Sequence, residues 1–194
     1  MDADDLAFSE FTKLRSAAVR TLSGRVLEIG SGRGANFADL DSTVEWIGLE
    51  PGARTHAALS ANARKHGHRR EPLLATAEAI PLADNSVDAV LGTFVFCSVD
   101  DPNQAAAEAW RVLIPGGRIV LVDHVLSQSN AVSRFQRAAS PISAALNRGC
   151  RWDREMALHA EGAGFQTVDI RRYRVSTGIP GVRVPCTIYE GLKV

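Results

Sequence analysis

The sequence predicts an α/β fold: a doubly wound, seven-stranded, mostly parallel sheet with its last strand antiparallel. Three observations predict it. Short apolar runs alternate with helical patterns along the chain, the order that yields parallel strands joined by crossover helices. The run "RVLEIG" leads straight into the glycine turn "GSGRGA", where the first strand of such a sheet meets its ligand. The two final runs, "FQTVDIRRYRV" and "VPCTIYEGLKV", are separated only by "STGIPGVR". That is too short for a crossover helix, so they are antiparallel neighbours.

Each element follows from its own residues. Residues 4–22 read as an amphipathic helix, with Ala7, Phe11, Leu14, Ala18 and Leu22 at spacings of three and four. "SGR" breaks it, and "RVLEIG" is the first strand. Residues 34–40 read as a helix and "VEWIGLE" as the second strand. "ARTHAALSANARKHG" is a helix stopped by Gly67. "EPLLA" reads as a short third strand, "EAIPLADNS" as a loop and "VDAVLGTFVF" as the fourth strand. "DPNQAAAEAWRVLIPGG" is a helix with proline near its start and Pro-Gly-Gly at its end. "RIVLVDHV" is the fifth strand. Residues 127–148 interrupt the alternation as one or two inserted helices, and 153–163 form another helix.

The 194 residues make a single domain: an N-terminal helix (1–23), a cofactor-binding core (24–126), a helical lid (127–150) and a C-terminal helix with strands (151–194). Apolar residues make up 45% and charged residues 23%, with a net charge of +0. No overall basic field exists to attract nucleic acid. Residues 1–123 carry 12 Lys+Arg against 17 Asp+Glu, and residues 124–194 carry 10 against 5. Solvated arginines on helix faces account for that bias better than an anionic substrate does. Cys97, Cys150 and Cys186 lie far apart, without a C-x-x-C or a histidine pair at ligand spacing. A disulfide framework and a structural zinc site are therefore not expected, and the pattern fits a reducing cytoplasm. "MDADDLAFSE" is too acidic for a signal peptide, and no apolar run reaches the length of a membrane span.

The glycine turn lies at the carboxyl end of the first strand, where ligands bind in open sheets. Gly30 and Gly32 permit a tight turn and close approach, and Gly34 lets the next helix begin close to the strand. Glu50 ends the second strand about twenty residues on, the separation at which an acidic side chain meets ribose hydroxyls. A carboxylate suits a diol because it accepts two hydrogen bonds. Together these features indicate an adenosine-containing ligand. "GSGRGA" also satisfies the loose dinucleotide pattern of NAD-dependent enzymes. Glu28, just before the turn, would repel a pyrophosphate and suit the ammonium and sulfonium of S-adenosylmethionine, which favours the methyl donor over NAD.

These segments resemble the class I S-adenosylmethionine-dependent methyltransferases. "VLEIGSGRGANF" looks like their first motif and "LEP" at 49–51 their second. "ATAEAIPLADNSVDAV" looks like the adenine segment, and "RVLIPGGRIVLVDH" like the turn and fifth strand that follow it. A narrower resemblance, carried by "GANF", "CSV" at 97–99, "DHV" at 123–125, "GC" at 149–150 and "IYEGLKV", is to the methyltransferase-like alkyl-thiol methyltransferases. Mammalian members of that group are membrane-associated. This chain lacks their N-terminal hydrophobic anchor, so membrane association is not carried over.

The resemblance implies S-adenosyl-L-methionine as cofactor and a set of roles. Glu28, Gly30 and Gly32 would line the methionine part, and Ser31, Asn36 and Phe37 would also bind the donor. Glu50 would take the ribose hydroxyls, with Pro51 beside the adenine. Thr76 stands where many relatives carry an aspartate for the adenine amino group, so Thr76, or backbone groups at Ala77 beside Glu78, would make that contact. Thr93 and Phe94 would lie under the sulfonium.

Methyl transfer from a sulfonium is an in-line displacement that needs alignment more than a dedicated catalytic group. A thiol supplies some thiolate unaided, whereas a phenol or alcohol needs a base. His124, after the fifth strand's apolar run, is the candidate base. Asp123 would orient it or bind an amine, although adjacent strand residues point to opposite faces. Cys97 reads as a small core residue, and His56, His66, His68 and His159 read as surface residues. Val132, Phe135, Ala139, Ile142 and Leu146 form a stripe expected to cap the pocket, with the N-terminal helix closing its other side. The expected partner is a small hydrophobic molecule, with a thiol first and an oxygen or nitrogen of a quinone-like or natural-product molecule second. Nucleic acid and a membrane span are not expected. Binding of the donor without transfer is a further alternative.

Overall fold

The central strands are the most apolar segments of the chain, and their burial on both faces fixes the architecture. In a computed structural model describing residues 3–147, 149–179 and 181–194, the elements run β1 (Asp4–Leu6), α1 (Phe8–Val19), β2 (Arg25–Ile29), β3 (Glu45–Leu49), α2 (Ala53–Lys65), β4 (Val87–Thr93), α3 (Pro102–Val112), β5 (Leu113–His124), α4 (Asn130–Leu146), α5 (Met156–Gly162), β6 (Phe165–Ser176) and β7 (Arg183–Lys193). They form one sheet in the order β1-β6-β7-β5-β4-β2-β3. β7 is antiparallel to both β5 and β6, and every other pairing is parallel. The sheet is therefore mostly parallel with its last strand reversed, as the sequence predicts. Leu27, Ile29, Val90, Ile119 and Leu121 bury one face, and Val26, Leu91, Val120, Val122 and Ile188 the other. This alternation puts successive side chains into separate cores.

Seven strands are observed, but they are not the predicted seven. "EPLLA" is reduced to one bridge between Leu73 and Leu49, because Pro72 has no N–H to continue a ladder. The seventh place is taken at the opposite edge by β1, which pairs with Tyr173–Val175 of β6. The predicted helix 4–22 accordingly begins only at Phe8. Residues 34–40 form successive turns rather than a helix. Gly34 has a φ of +80°, outside the helical region. The Phe37 ring lies where a Cβ on Gly34 would be. α3 ends at Val112, and the predicted helical end 113–117 is extended.

The inserted segment is one helix, α4, and its orientation overturns the lid expectation. Its buried residues are Ser133, Gln136, Ser140 and Ser143. Val132, Phe135, Ile142 and Leu146 are exposed. Hydrogen bonding holds the polar face down. Gln136 accepts from Ser127 N at 2.7 Å and donates to Val125 O at 2.9 Å, and Ser140 Oγ bridges Trp152 N and Asp153. Satisfied polar groups can replace apolar burial in this way. Among the described residues no helix is long and apolar enough to cross a membrane.

Candidate active site

The carboxyl ends of β2, β3 and β4 open onto a cleft of about 610 Å³. Gly30, at φ +65°, turns the chain out of β2. A Cβ there would lie 2.5 Å from Val95 Cγ2, so only glycine lets the turn pass this close to the loop after β4. Gly32, at φ +54°, has open space beside it, and its requirement is conformational. Gly32 N donates to Glu50 Oε2 and Gly52 N to Glu50 Oε1, each at 2.9 Å. The two turns thus fix one carboxylate at the cleft wall. His56 supports it from below, its Nε2 lying 2.7 Å from Glu50 O. Gly30, Gly32, Glu50, Pro51, Thr76, Ala77, Glu78 and Phe94 all line the cleft.

Five expected ligand residues do not. Glu28 is 1% exposed, and both its oxygens are occupied: Asn36 Nδ2 donates to Oε1 at 2.6 Å and Trp46 Nε1 to Oε2 at 2.7 Å. Burial raises its pKa above the usual carboxylate value despite these bonds. Ser31 Oγ donates to Glu28 O at 2.9 Å. Asn36 also donates to Thr93 Oγ1 at 2.9 Å and accepts from Arg15 of α1 at 2.9 Å. Phe37 is buried edge-on against Trp46 at 4.9 Å. Glu28, Ser31, Asn36 and Phe37 therefore support the turn from behind, and Thr93 belongs to the same network. His68, expected at the surface, is buried beside Phe37 and Trp46, and burial lowers its pKa.

The opposite wall is the segment after β4, of whose cleft residues only Phe94 was expected from the sequence. Phe94 leaves the strand at φ +55°, ending β4 earlier than the apolar run suggests. Val95, Ser98, Val99 and Asp100 follow along the cleft. Glu78 Oε1 accepts from Asp100 N at 2.8 Å and Asp101 N at 3.2 Å. Burial raises the Glu78 pKa, but hydrogen bonds from its own backbone N–H and Thr76, joined by these two, outweigh it and hold the group below its usual value. Arg154 braces the segment through Phe96 O and Val99 O. The signal for these residues was their position directly after a strand at the ligand-binding end of the sheet.

A second, more apolar cavity of about 460 Å³ lies on the far side of Phe94. Phe94 lines both cavities. Phe8 and Phe11 of α1 form one wall of the second, as expected of the N-terminal helix, and His124, Val184 and Cys186 form another. α4 does not line it. The His124 ring packs 4.8 Å from that of Phe94. Its Nδ1 lies 3.6 Å from Cys150 Sγ and 4.0 Å from Cys97 Sγ, so Nε2 is the ring nitrogen left to face an acceptor. Burial would lower the His124 pKa, but the Cys97 thiol and Asp123 outweigh it and raise the group above its usual value. Asp123 is fully buried and accepts from Phe96 N at 2.9 Å and Cys97 N at 3.3 Å. It fixes the loop and reaches neither an amine substrate nor the cavity, which corrects its expected role. Cys97 is buried as expected.

Comparison with known proteins agrees with this geometry. Residues 27–121 match the family model described as "Methyltransferase domain". A thiol S-methyltransferase of Rattus norvegicus is 31% identical over 149 residues, 75% of this chain and 61% of that protein. A demethylmenaquinone methyltransferase of Renibacterium salmoninarum is 34% identical over 104 residues, 51% of this chain and 40% of its own length. The chain thus spans less than two thirds of either relative. The crystal structure of a geranyl diphosphate C-methyltransferase from Streptomyces coelicolor, with bound S-adenosyl-L-homocysteine, superposes with a TM-score of 0.70 at 15% identity, covering 96% of this chain and 82% of that one. The turn between two parallel strands, the acidic residue ending the second strand and the matched domain lead to one assignment: the chain belongs to the class I S-adenosylmethionine-dependent methyltransferases.

Proposed function

We propose that this protein transfers a methyl group from S-adenosylmethionine to the thiol sulfur of a small hydrophobic molecule. The observation that carries the reading is the pair of cavities meeting at Phe94, a cleft holding the Glu50 carboxylate and a more apolar chamber, each lined by that one side chain. The likeness to a thiol S-methyltransferase supports sulfur as the acceptor.

The cleft suits the donor. Glu50 keeps lone pairs beyond the two its backbone bonds occupy, and Gly32 has open space beside it at the cleft wall. Glu50 would hold the ribose hydroxyls, Pro51 and Ala77 would flank the adenine, and Gly30 and Gly32 would face the methionine part. Bound there, the donor supplies a methyl group already activated by a positive sulfonium. Phe94 separates the two chambers and sets the line along which they communicate. Its aromatic face favours a cation. Phe8 and Phe11 give the acceptor side an apolar wall, and alignment of acceptor and methyl there would supply a large part of the barrier reduction. A second reading, transfer to an oxygen or nitrogen of a quinone-like or natural-product molecule, is favoured by His124 at the chamber wall and by the demethylmenaquinone methyltransferase likeness.

The test is S-adenosylhomocysteine release with an alkyl thiol and a phenol of matched size offered separately. Release with the thiol alone is expected. Release with the phenol alone overturns sulfur as the acceptor and makes His124 the group to examine as a base.

A further inference from the structure

Cys97, His124 and Cys150 come from three separate segments, yet their Sγ, Nδ1 and Sγ atoms all lie within 4.8 Å of one another. The two sulfurs are 3.5 Å apart, and Nδ1 is 3.6 Å from one and 4.0 Å from the other. Tetrahedral zinc with bonds of about 2.3 Å to sulfur and 2.0–2.1 Å to nitrogen requires edges of about 3.8 Å between sulfurs and 3.6 Å from sulfur to nitrogen. The three observed edges agree with these to within about half an ångström. Each ligand is also fixed by its own backbone. Cys97 N donates to the buried Asp123 carboxylate, and Arg151 N donates to Cys97 O at 2.7 Å. Gly149, at φ +85°, lets the chain before Cys150 pass where a Cβ would meet Ser98 O at 2.9 Å. His124 is held by its pairing opposite Cys186 of β7.

We propose that Cys97, His124 and Cys150 form a three-ligand site for a thiophilic divalent ion, Zn²⁺, whose fourth position takes the acceptor thiol. Two thiolates and an imidazole are the ligands that zinc favours, and three protein ligands leave a position open. His124 alone of the three lines the apolar chamber, and Cys97 and Cys150 lie buried behind its ring, so an acceptor thiol would reach the open position past that ring. A thiol bound to the ion loses its proton to solvent. The thiolate sulfur then forms a bond to the methyl carbon as the bond from that carbon to the sulfonium breaks. The products are a thioether, neutral S-adenosylhomocysteine and one proton. The metal site stands on its own geometry, whereas its role toward the acceptor rests on the thiol reading above.

The test begins with the full chain reconstituted with Zn²⁺, desalted and analysed for metal. One ion per chain is expected, with loss of the ion in Cys150→Ser and in His124→Gln and its retention in Cys186→Ser. An unmetallated wild-type protein, or full occupancy in Cys150→Ser, overturns the site. Loss in Cys186→Ser makes it a closed four-ligand centre and overturns the open position. Co²⁺ in place of Zn²⁺ gives a readout without turnover: its sulfur charge-transfer bands should strengthen when an alkyl thiol is added without the methyl donor. Unchanged bands overturn acceptor binding at the ion. Only about 3% of a free thiol is ionised at pH 7, so metal-free protein should methylate at least about tenfold more slowly there. An undiminished metal-free rate overturns the metal's role and leaves the thiol reading intact, whereas bound metal with only a phenol methylated does the reverse.

Discussion

Replacing Glu50 by glutamine tests the donor cleft at its most defined point. The carboxylate offers about four acceptor sites, and two of them are filled by Gly32 N and Gly52 N at 2.9 Å. The remaining two are available for the two hydroxyls of a ribose. An amide cannot reproduce this arrangement. Its NH₂ must face either Gly32 N or Gly52 N, donor against donor, and the hydroxyl on that side loses its acceptor. Hydrogen bonds to a charged group contribute roughly 1.5–3 kcal/mol each. Losing one ribose bond and the charge assistance of the other therefore costs about 3–4 kcal/mol, or roughly 10²–10³ in affinity. Calorimetric titration of S-adenosylhomocysteine into Glu50→Gln reads this directly, and a urea melt checks that the fold survives. Glu50→Asp, which keeps the charge but withdraws it by one methylene, should fall between. A dissociation constant within about fivefold of wild type for a folded Glu50→Gln would refute the assignment of the ribose to this carboxylate.

Three further substitutions probe the surrounding structure. Phe94→Gly should leave stability within about 1 kcal/mol, because relief of the positive φ offsets the lost packing of a part-exposed ring; kcat/KM should fall at least tenfold, and undiminished turnover would show that the shared wall is dispensable. Glu28→Gln should change the pH dependence of stability. Burial raises the Glu28 pKa in the folded state, so its contribution is full below the unfolded value and is lost as pH rises through the folded one. The stability advantage of wild type over the variant should therefore shrink from pH 4.5 upward in urea titrations, and a constant difference would contradict the raised pKa. Lys193→Met should lower the melting temperature by roughly 5–15 °C. The buried ammonium donates to Asn85 Oδ1, Trp110 O and Leu113 O at 2.7–2.8 Å, and Met leaves all three acceptors without it; a shift under about 2 °C would show that they rehydrate freely.

The parts of this fold legible in the sequence are those where one local signal has one meaning. "VLEIG", "WIGLE" and "IVLVD" are apolar but for one carboxylate each, the composition of a strand buried on both faces, and they form the interior strands β2 and β5 and the edge strand β3. Gly30 and Glu50 were legible because the turn and the strand end fix their backbone before any partner is known. Glu28 was misread for the same reason. Its position before the turn is fixed by sequence, but whether its carboxylate faces the cleft or the core depends on Trp46 and Asn36. Those two donors, from segments 18 and 8 residues away, claim both its oxygens. The short β1 was illegible because three residues carry no periodicity, and their pairing depends on β6, about 170 residues later.

α4 shows the limit more sharply. The stripe Val132, Phe135, Ile142 and Leu146 has correct helical spacing, and the helix exists where it was expected. Periodicity gives the period and not the phase: it says that one face differs from the other, not which is buried. Burial of the polar face is decided by acceptors and donors that other segments supply, namely Ser127 N, Val125 O, Trp152 N and Asp153. An apolar face was preferred because burying unsatisfied serines and glutamine would cost about 1–3 kcal/mol per group. Ser133, Gln136 and Ser140 each have a partner, so for them that cost largely vanishes; only Ser143 Oγ stays buried without one, and the helix docks through its polar side. The same dependence on distant partners hid the thiol–imidazole cluster. Cys97 and Cys150 are 53 residues apart and His124 lies between them, so no local spacing rule reports them. They meet because Asp123, Gly149 and Arg151 fold three unrelated turns onto one point.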